Sequence, residues 1–273
     1  MKRSQFLKNT FLSLGAATLI AACGGGGDTA SAPSDGGDAA ATGTWVVGTE
    51  PAFPPFESQD DSGELVGFDI DLMEAIGEQA GVDIEFESLP FDGLIPALQA
   101  GTIEAAISGM TITEERAATV DFSRPYFRAG LAIAVAEDDN ETTSLESLEG
   151  KTIAVQIGTT GADKAAEVEG AKISTFDSAP LALQELSNGN ADAVINDGPV
   201  TLDAIASGNI DGVKVVGELV TEEFYGIAMP QDSPNVDTLN TALAELIDNG
   251  TYDEIYEKWF GTAPTGTLPE SAL

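Results

Sequence analysis

A short segment, residues 108–116, combines the residue types that bind a carboxylate. Gly109 lets the backbone approach a ligand closely, because glycine has no side chain. Thr111 and Thr113 offer hydroxyl and backbone N–H groups at a predicted helix start, and Arg116 carries a planar pair of donors that matches a carboxylate. The segment therefore predicts a receptor for an anion. The alternative is a surface arginine that pairs with a neighbouring glutamate.

An acidic residue, Asp197, closely follows the apolar run at residues 191–195 and precedes a Gly-Pro pair. This order predicts a strand that delivers a carboxylate to its C-terminal edge, where open α/β sheets bind their ligands. Alternatively, Asp197 caps a helix predicted over residues 199–206. If Arg116 and Asp197 act together, their two charges suit the two ends of an α-amino acid.

The elements that must position these groups alternate between strand-like and helix-like segments, which predicts an α/β fold. Strands are predicted over residues 45–48, 82–86, 103–107, 131–135, 152–155, 172–175 and 192–196. Helices are predicted over residues 69–79, 91–100, 162–168, 179–187, 199–206, 235–247 and 252–259.

Two further segments with residue types that can bind an anion or cap a helix lie at predicted helix starts. Asp69 is predicted to cap the first helix, so residues 67–72 are interpreted as architectural rather than ligand-binding. Residues 158–161, Gly-Thr-Thr-Gly, lie between a strand and a helix, and their backbone amides could point at a bound anion. An ordinary Gly-Thr turn before a helix explains the same residues equally well.

The first 23 residues have the pattern of a targeting segment, in which basic residues precede an apolar stretch at 11–22 that is too short to span a bilayer. Residues 20–23, Ile-Ala-Ala-Cys, resemble a bacterial lipoprotein cleavage box, which implies that Cys23 becomes a lipid-bearing N-terminus anchored to the membrane. The alternative is an ordinary signal peptide with a chance cysteine. Cys23 is the only cysteine, so disulfides within the chain are excluded.

Residues 24–43 are rich in Gly, Ala, Ser and Asp, which predicts a flexible tether. The remaining residues, about 230, suffice for two hydrophobic cores of roughly 110 residues each.

The charge balance is strongly acidic. After Cys23 the chain has 8 basic and 46 acidic residues, a net charge of −38, which argues against binding to nucleic acid or to anionic lipid. The absence of histidine excludes imidazole metal sites and histidine-based catalytic triads. We expect no metal, no cofactor and no nucleic-acid partner.

Several motifs resemble those of the periplasmic polar amino-acid-binding proteins of ABC importers, solute-binding protein family 3. Residues 67–72, Gly-Phe-Asp-Ile-Asp-Leu, look like the family signature. Residues 56–58 and 63–66 resemble the histidine- and lysine/arginine/ornithine-binding members, whereas residues 249–261 are closer to the glutamine-binding protein.

The resemblance implies the type II periplasmic-binding-protein fold, in which two α/β lobes close around a ligand. The implied limits are residues 44–125 and 226–263 for lobe 1, 131–220 for lobe 2, 126–130 and 221–225 for the hinge, and 264–273 for a tail. The resemblance also implies an extracytoplasmic protein, in the periplasm or at the cell surface, that delivers a free L-amino acid to an ABC permease. We expect a monomer.

The resemblance assigns residues to each end of the amino acid. Those that would hold the α-carboxylate are Arg116, Thr111 and Thr160. Those that would hold the α-ammonium are Asp197, Ser108 and the Gly109 carbonyl. Those that would contact the side chain are Phe53 and Phe91, as a sandwich, and Glu50 at its tip. Without the resemblance, ordinary core packing would explain the two phenylalanines.

Two positions depart from the glutamine-binding pattern, since Gln156 and Asn196 stand where that protein has a lysine and a histidine. Both residues are neutral, so a zwitterion that pairs with Arg116 and Asp197 leaves Glu50 as a surplus negative charge. Enclosing an unpaired carboxylate costs several kcal/mol by rough estimate. A cationic side chain removes this cost, so we expect arginine or lysine ahead of glutamine, provided that Glu50 does not face solvent.

Two other classes of protein use this fold, dehydratase-like enzymes and sensory ectodomains. An enzyme needs acid and base groups, but the chain lacks histidine and Asp197 suits an ammonium partner. A sensory receptor carries membrane-spanning and signalling segments that this sequence does not show. We therefore expect a binding protein and no enzymatic activity.

Overall fold

The computed structural model describes residues 43–273. The predicted targeting segment, the lipid-bearing Cys23 and all of the predicted tether except Gly43 lie outside the described residues. Within residues 43–273, no helix has both the length and the apolar character needed to cross a membrane.

The described residues alternate between strands and helices. The strands are β1 (Thr44–Thr49), β2 (Ala52–Phe53), β3 (Glu57–Gln59), β4 (Leu65–Val66), β5 (Asp83–Ser88), β6 (Ala105–Ala106), β7 (Val120–Phe122), β8 (Phe127–Ala129), β9 (Leu131–Ala136), β10 (Thr152–Gln156), β11 (Lys172–Phe176), β12 (Ala193–Asp197), β13 (Val213–Val216), β14 (Glu223–Tyr225) and β15 (Ala228–Pro230). The helices are α1 (Phe68–Ala80), α2 (Phe91–Ala100), α3 (Glu114–Ala117), α4 (Thr160–Ala166), α5 (Ala179–Ser187), α6 (Gly198–Ala206), α7 (Val236–Asn249) and α8 (Thr251–Phe260), with a 3-10 turn at Leu145–Leu148.

Two five-stranded sheets share one pattern of strand order and direction. The first has the order β5-β1-β6-β15-β7, in which β1 runs parallel to β5 and β6 while β15 is antiparallel. The second has the order β11-β10-β12-β9-β13, in which β10 runs parallel to β11 and β12 while β9 is antiparallel. Lobe 1 here denotes the first sheet with α1, α2, α3, α7 and α8, together with a small sheet, β2-β3-β4, beside α1. Lobe 2 denotes the second sheet with α4, α5 and α6. The predicted α/β fold with two sheet-and-helix lobes is confirmed.

The core of lobe 2 covers both faces of its sheet, because successive side chains of a strand point to opposite faces. Ala134 and Val194 pack in one cluster, whereas Ile133 and Ile195 pack in the other. A strand buried on both faces contains few polar residues, and this explains the continuous apolar sequence of β9.

Two crossings of the chain join the lobes through an antiparallel pair, β8 with β14. The rings of Phe127 and Tyr225, one from each strand, stack with centroids 5.6 Å apart. Gly130 lies against the second crossing so closely that a Cβ atom there would be 2.2 Å from the Thr221 carbonyl oxygen. The two crossings, for which we keep the name hinge from the sequence prediction, are therefore packed against each other and are not loose linkers.

Some sequence predictions about the elements are wrong. The N-cap of α1 is Gly67, and Asp69 is a fully buried residue of the first turn that does not cap the helix. The strand predicted over 103–107 is only Ala105–Ala106, and α4 begins at Thr160 instead of residue 162. Eight short strands, β2, β3, β4, β7, β8, β13, β14 and β15, are absent from the prediction.

Candidate ligand-binding site

The carboxyl ends of equivalent strands in the two sheets meet in one cleft. In lobe 1, Glu50 follows β1 and Ser108 lies two residues beyond β6. In lobe 2, Gln156 ends β10 and Asp197 ends β12. Because β1 and β10 occupy the same place in their sheets, as do β6 and β12, each lobe contributes two strand ends to the site.

A small cavity between the lobes brings together most of the predicted site residues. Its lining residues are Phe53, Phe91, Ser108, Gly109, Thr111, Arg116, Gln156, Thr159, Thr160 and Asp197. The open space among them is about 10 Å³, which is at the lower limit for a single water molecule. The lobes are therefore closed on each other. A larger cavity of about 660 Å³ on lobe 1 contains none of these residues.

The segment around Arg116 is held from both lobes. The Thr113 hydroxyl accepts the backbone N–H of Arg116 at 3.2 Å and so caps the short helix α3. The guanidinium donates to the carbonyl oxygens of Thr111, at 2.7 Å, and of Gly158 across the cleft, at 3.0 Å. It also lies over the ring of Phe91, 5.3 Å from the centroid. A guanidinium has five N–H donors, and these bonds within the described residues use two of them.

Glu223, in the hinge, holds the two threonines that the resemblance assigns to the carboxylate. Its Oε2 atom accepts the hydroxyl protons of Thr111, at 2.7 Å, and of Thr160, at 2.9 Å, one from each lobe. Those protons are consequently not available to a ligand carboxylate, which leaves Arg116 and backbone N–H groups as donors. Glu223 is not among the site residues predicted from the sequence.

Asp197 lines the cleft and does not cap helix α6 with its side chain. It occupies the N-cap position of α6, but its side chain makes no capping hydrogen bond. Instead its Oδ1 atom accepts the Tyr225 hydroxyl at 2.7 Å. Burial, reinforced by the nearby charge of Glu223, raises the pKa of Asp197 to about 7, against the opposing effects of Tyr225 and Arg116. A cationic partner would stabilise the ionised form.

Glu50 is buried, with 6% of its surface exposed, and it faces lobe 2. Its Oε2 atom accepts the side-chain amide of Gln156 at 2.7 Å, and its backbone N–H donates to Ser108 Oγ at 3.0 Å. Burial raises the pKa of Glu50 to about 7; Gln156 counteracts this shift and Asp92 adds to it. Glu50 adjoins the site without lining the present cavity.

Of the remaining predicted residues, Gly109 lines the cavity and Asn196 does not. Gly109 has a φ of +53°, and a Cβ atom there would lie 2.7 Å from the ring of Phe53, so another residue would displace that ring. Asn196 does not line the cavity, and its amide donates to the Thr201 hydroxyl at 3.2 Å within lobe 2. The structure thus brings together nine of the predicted ligand residues, with Glu50 adjoining and Asn196 apart.

Comparison with known proteins places this arrangement among binding proteins. The family model for bacterial extracellular solute-binding proteins, family 3, matches residues 45–262. A probable histidine-binding protein of Neisseria gonorrhoeae is 36% identical over 250 residues, which cover 89% of this chain and 91% of that protein. An arginine-binding periplasmic protein of Mannheimia haemolytica is 36% identical over 223 residues, covering 79% and 91%.

Solved structures of amino-acid-binding proteins are also similar to this chain. An ancestral arginine-binding protein is 49% identical, with a TM-score of 0.77, and the match covers 80% of this chain and 98% of that protein. It has been solved bound to arginine and, separately, bound to glutamine.

Proposed function

This chain belongs to family 3 of the bacterial extracellular solute-binding proteins, and we propose that it captures a cationic L-amino acid, arginine or lysine. The lobes separate to admit the ligand, close around it, and present it to an ABC permease. Arg116 binds the α-carboxylate and Asp197 binds the α-ammonium. Glu50 binds the cationic end of the side chain.

The burial of Glu50 is the observation that carries the choice of a cation. With 6% exposure, this carboxylate is not free to pair with solvent, and its neighbour Gln156 is neutral. Glu223 adds a further acid close to Arg116 and Asp197. A neutral zwitterion would leave Glu50 ionised without a cation, or force it to take up a proton. A guanidinium or ammonium at the end of the side chain supplies the missing charge.

Glutamine is the second candidate. The pKa of Glu50, raised to about 7, allows a protonated carboxyl that could hydrogen-bond a neutral amide. In support, the ancestral arginine-binding protein has been solved with glutamine as well as with arginine.

Thermal unfolding with a panel of amino acids tests this proposal. A ligand at about 100 times its dissociation constant adds about 2.7 kcal/mol to the free energy of unfolding. We expect arginine and lysine to raise the melting temperature most, with glutamine weaker. Stabilisation by glutamine but not by arginine or lysine would refute the choice of a cation. Turnover of a small carboxylic acid by the purified protein would instead favour a dehydratase.

We further propose that a lipid on Cys23 anchors the protein at the outer face of a membrane. The support is the sequence of residues 20–23 and the extracellular family. Membrane fractionation of the native protein and of Cys23→Ser tests the proposal. Only the native protein should sediment with membranes, and equal release of both would contradict the anchor.

A further inference from the structure

Two fully buried carboxyl groups, Glu57 and Asp69, lie directly behind the loop that lines the ammonium end of the site. Each has 0% exposure. Glu57 Oε1 accepts the Ser108 hydroxyl at 2.6 Å. Asp69 Oδ2 accepts the Gly109 backbone N–H at 2.9 Å and the Tyr126 hydroxyl at 2.7 Å. The two acids therefore hold two consecutive residues of the cleft wall.

The other two oxygens of this pair identify its protonation state. Glu57 Oε2 and Asp69 Oδ1 are buried and, among the described residues, neither has a hydrogen-bond partner. The two carboxyl groups are neighbours, since the charge of Asp69 adds to burial in raising the pKa of Glu57. One proton between them would give both of these oxygens a partner. A pair without that proton would bury two adjacent negative charges with no cation beside them, which is strongly unfavourable.

The hydrogen bonds indicate which acid keeps the proton. Asp69 Oδ2 already accepts two donors, and such bonds favour a carboxylate. They hold the pKa of Asp69 to about 6 against the effect of burial. Burial raises the pKa of Glu57 well above its ordinary value, and the charges of Asp69 and Glu50 raise it further. Tyr126 is the other titratable group in contact with the pair, and burial raises its pKa too, so it stays a donor.

We propose that Glu57 and Asp69 share one proton, held on Glu57 Oε2, and act as positioning residues that fix Ser108 and Gly109 for the ligand ammonium. The single negative charge on Asp69 lies behind Gly109 and favours a cation in front of it. The positioning role rests on the proposed function, whereas the shared proton does not.

Infrared spectroscopy of the ligand-free protein tests the shared proton. The measurement is made well above pH 7, where Glu50 and Asp197, with pKa values of about 7, are ionised. We expect a C=O stretch from one buried carboxylic acid, which Glu57→Gln removes and the exposed control Glu64→Gln retains. The absence of that band in the native protein would overturn the proposal.

Amide variants test the positioning role. In Glu57→Gln, the amide nitrogen can donate to Asp69 Oδ1 while the amide oxygen accepts Ser108, so the variant mimics the protonated acid. We expect its dissociation constant for arginine to change less than about tenfold, since a hydrogen bond replaced in kind is nearly neutral. The double variant Glu57→Gln, Asp69→Asn removes the charge and places two amides together, and it should bind more weakly than either single variant.

The pH dependence of stability gives a second readout of Glu57. An acid whose pKa is raised on folding binds a proton that the unfolded chain releases, so stability falls as pH rises above the ordinary value of 4.5. Glu57→Gln does not lose stability in this way. The melting temperature of the variant, relative to that of the native protein, should therefore rise as the pH increases. A melting temperature that falls further behind as pH rises would show that Glu57 is an anion.

These outcomes separate the two proposals. If no amino acid binds the native protein, the proposed function fails while the infrared result still decides the shared proton. If the band is present but the double variant binds arginine as tightly as the native protein, the positioning role is overturned.

Discussion

The two lobes have sheets of the same strand order, yet they hold their ligand groups in different ways. In lobe 1, Ser108 and Gly109 are fixed from behind by Glu57 and Asp69 of the same lobe. In lobe 2, Asp197 and Thr160 are held by Tyr225 and Glu223, which belong to the hinge strand β14. This difference indicates that the ammonium side of lobe 1, Ser108 and Gly109, is formed before closure. Asp197 and Thr160 depend on the hinge, as does Thr111 of lobe 1 through its bond to Glu223.

Removing Arg116, the cation of lobe 1, should cause the largest loss of ligand affinity. In Arg116→Ala the ligand carboxylate would be enclosed without its charged partner, which costs roughly 3–5 kcal/mol. Binding of every amino acid should then be lost in isothermal titration, whereas Arg116→Lys keeps the charge and should lose less. Undiminished affinity of Arg116→Ala would remove the assignment of the carboxylate.

Neutralising Asp197, the acid of lobe 2, should cause the second largest loss of ligand affinity. Asp197→Asn removes the charge opposite the ammonium, with an expected loss of roughly 2–5 kcal/mol in the free energy of binding. The adjacent residue offers a matched control, because the Asn196 side chain bonds to Thr201 and does not line the cavity. Asn196→Ala should leave affinity almost unchanged. Equal losses from the two variants would show that the strand end, and not the charge, matters.

Glu50→Gln should separate the two candidate ligands. The charge-assisted hydrogen bond to a cationic side chain is worth about 1.5–3 kcal/mol, so the affinity for arginine should fall roughly tenfold or more. Affinity for glutamine should change little or improve, because a neutral amide can pair with glutamine. An equal effect on both ligands, measured by titration under the same conditions, would place Glu50 outside the ligand's reach.

Acidic pH should weaken binding through both lobes. Asp197 and Glu50 have pKa values of about 7, and a cationic ligand binds their ionised forms, so binding below pH 7 must release protons. Affinity should fall by up to about tenfold per pH unit for each group as pH drops below 7. Without ligand the sign is opposite, since raised pKa values make the free protein less stable as pH rises toward 7. Titrations in buffers of different ionisation enthalpy would count the protons, and zero release at pH 6 would contradict this account.

The sequence predicts the long elements well, because their signals are local. The predicted limits of α2 and α5 agree with the structure, and the apolar run of β9 is found as a buried strand. Strands of two or three residues, such as β2 and β15, have no periodicity to detect. The strand end at Asp197 is predictable for the same reason as β9, since an apolar run leads into it.

The roles of residues whose hydrogen-bond partners are distant in sequence cannot be predicted from local patterns. Glu223 bonds to Thr111, 112 residues away, and nothing local marks it as part of the site. Asp69 has the local pattern of a cap, whereas its actual partners, Gly109 and Tyr126, are 40 and 57 residues away. The position of Asn196, by contrast, follows from a known rule. Neighbouring residues of a strand point to opposite faces, so Asn196 cannot face the cleft if Asp197 does.

The comparison of affinities for L-arginine and L-citrulline tests the central claim most directly, because the two ligands differ chiefly in the charge at the end of the side chain. Titration of the native protein should show arginine bound at least about tenfold more tightly, which corresponds to the charge-assisted bond with Glu50. The same preference should shrink in Glu50→Gln. Equal affinities for the two ligands in the native protein would contradict the account.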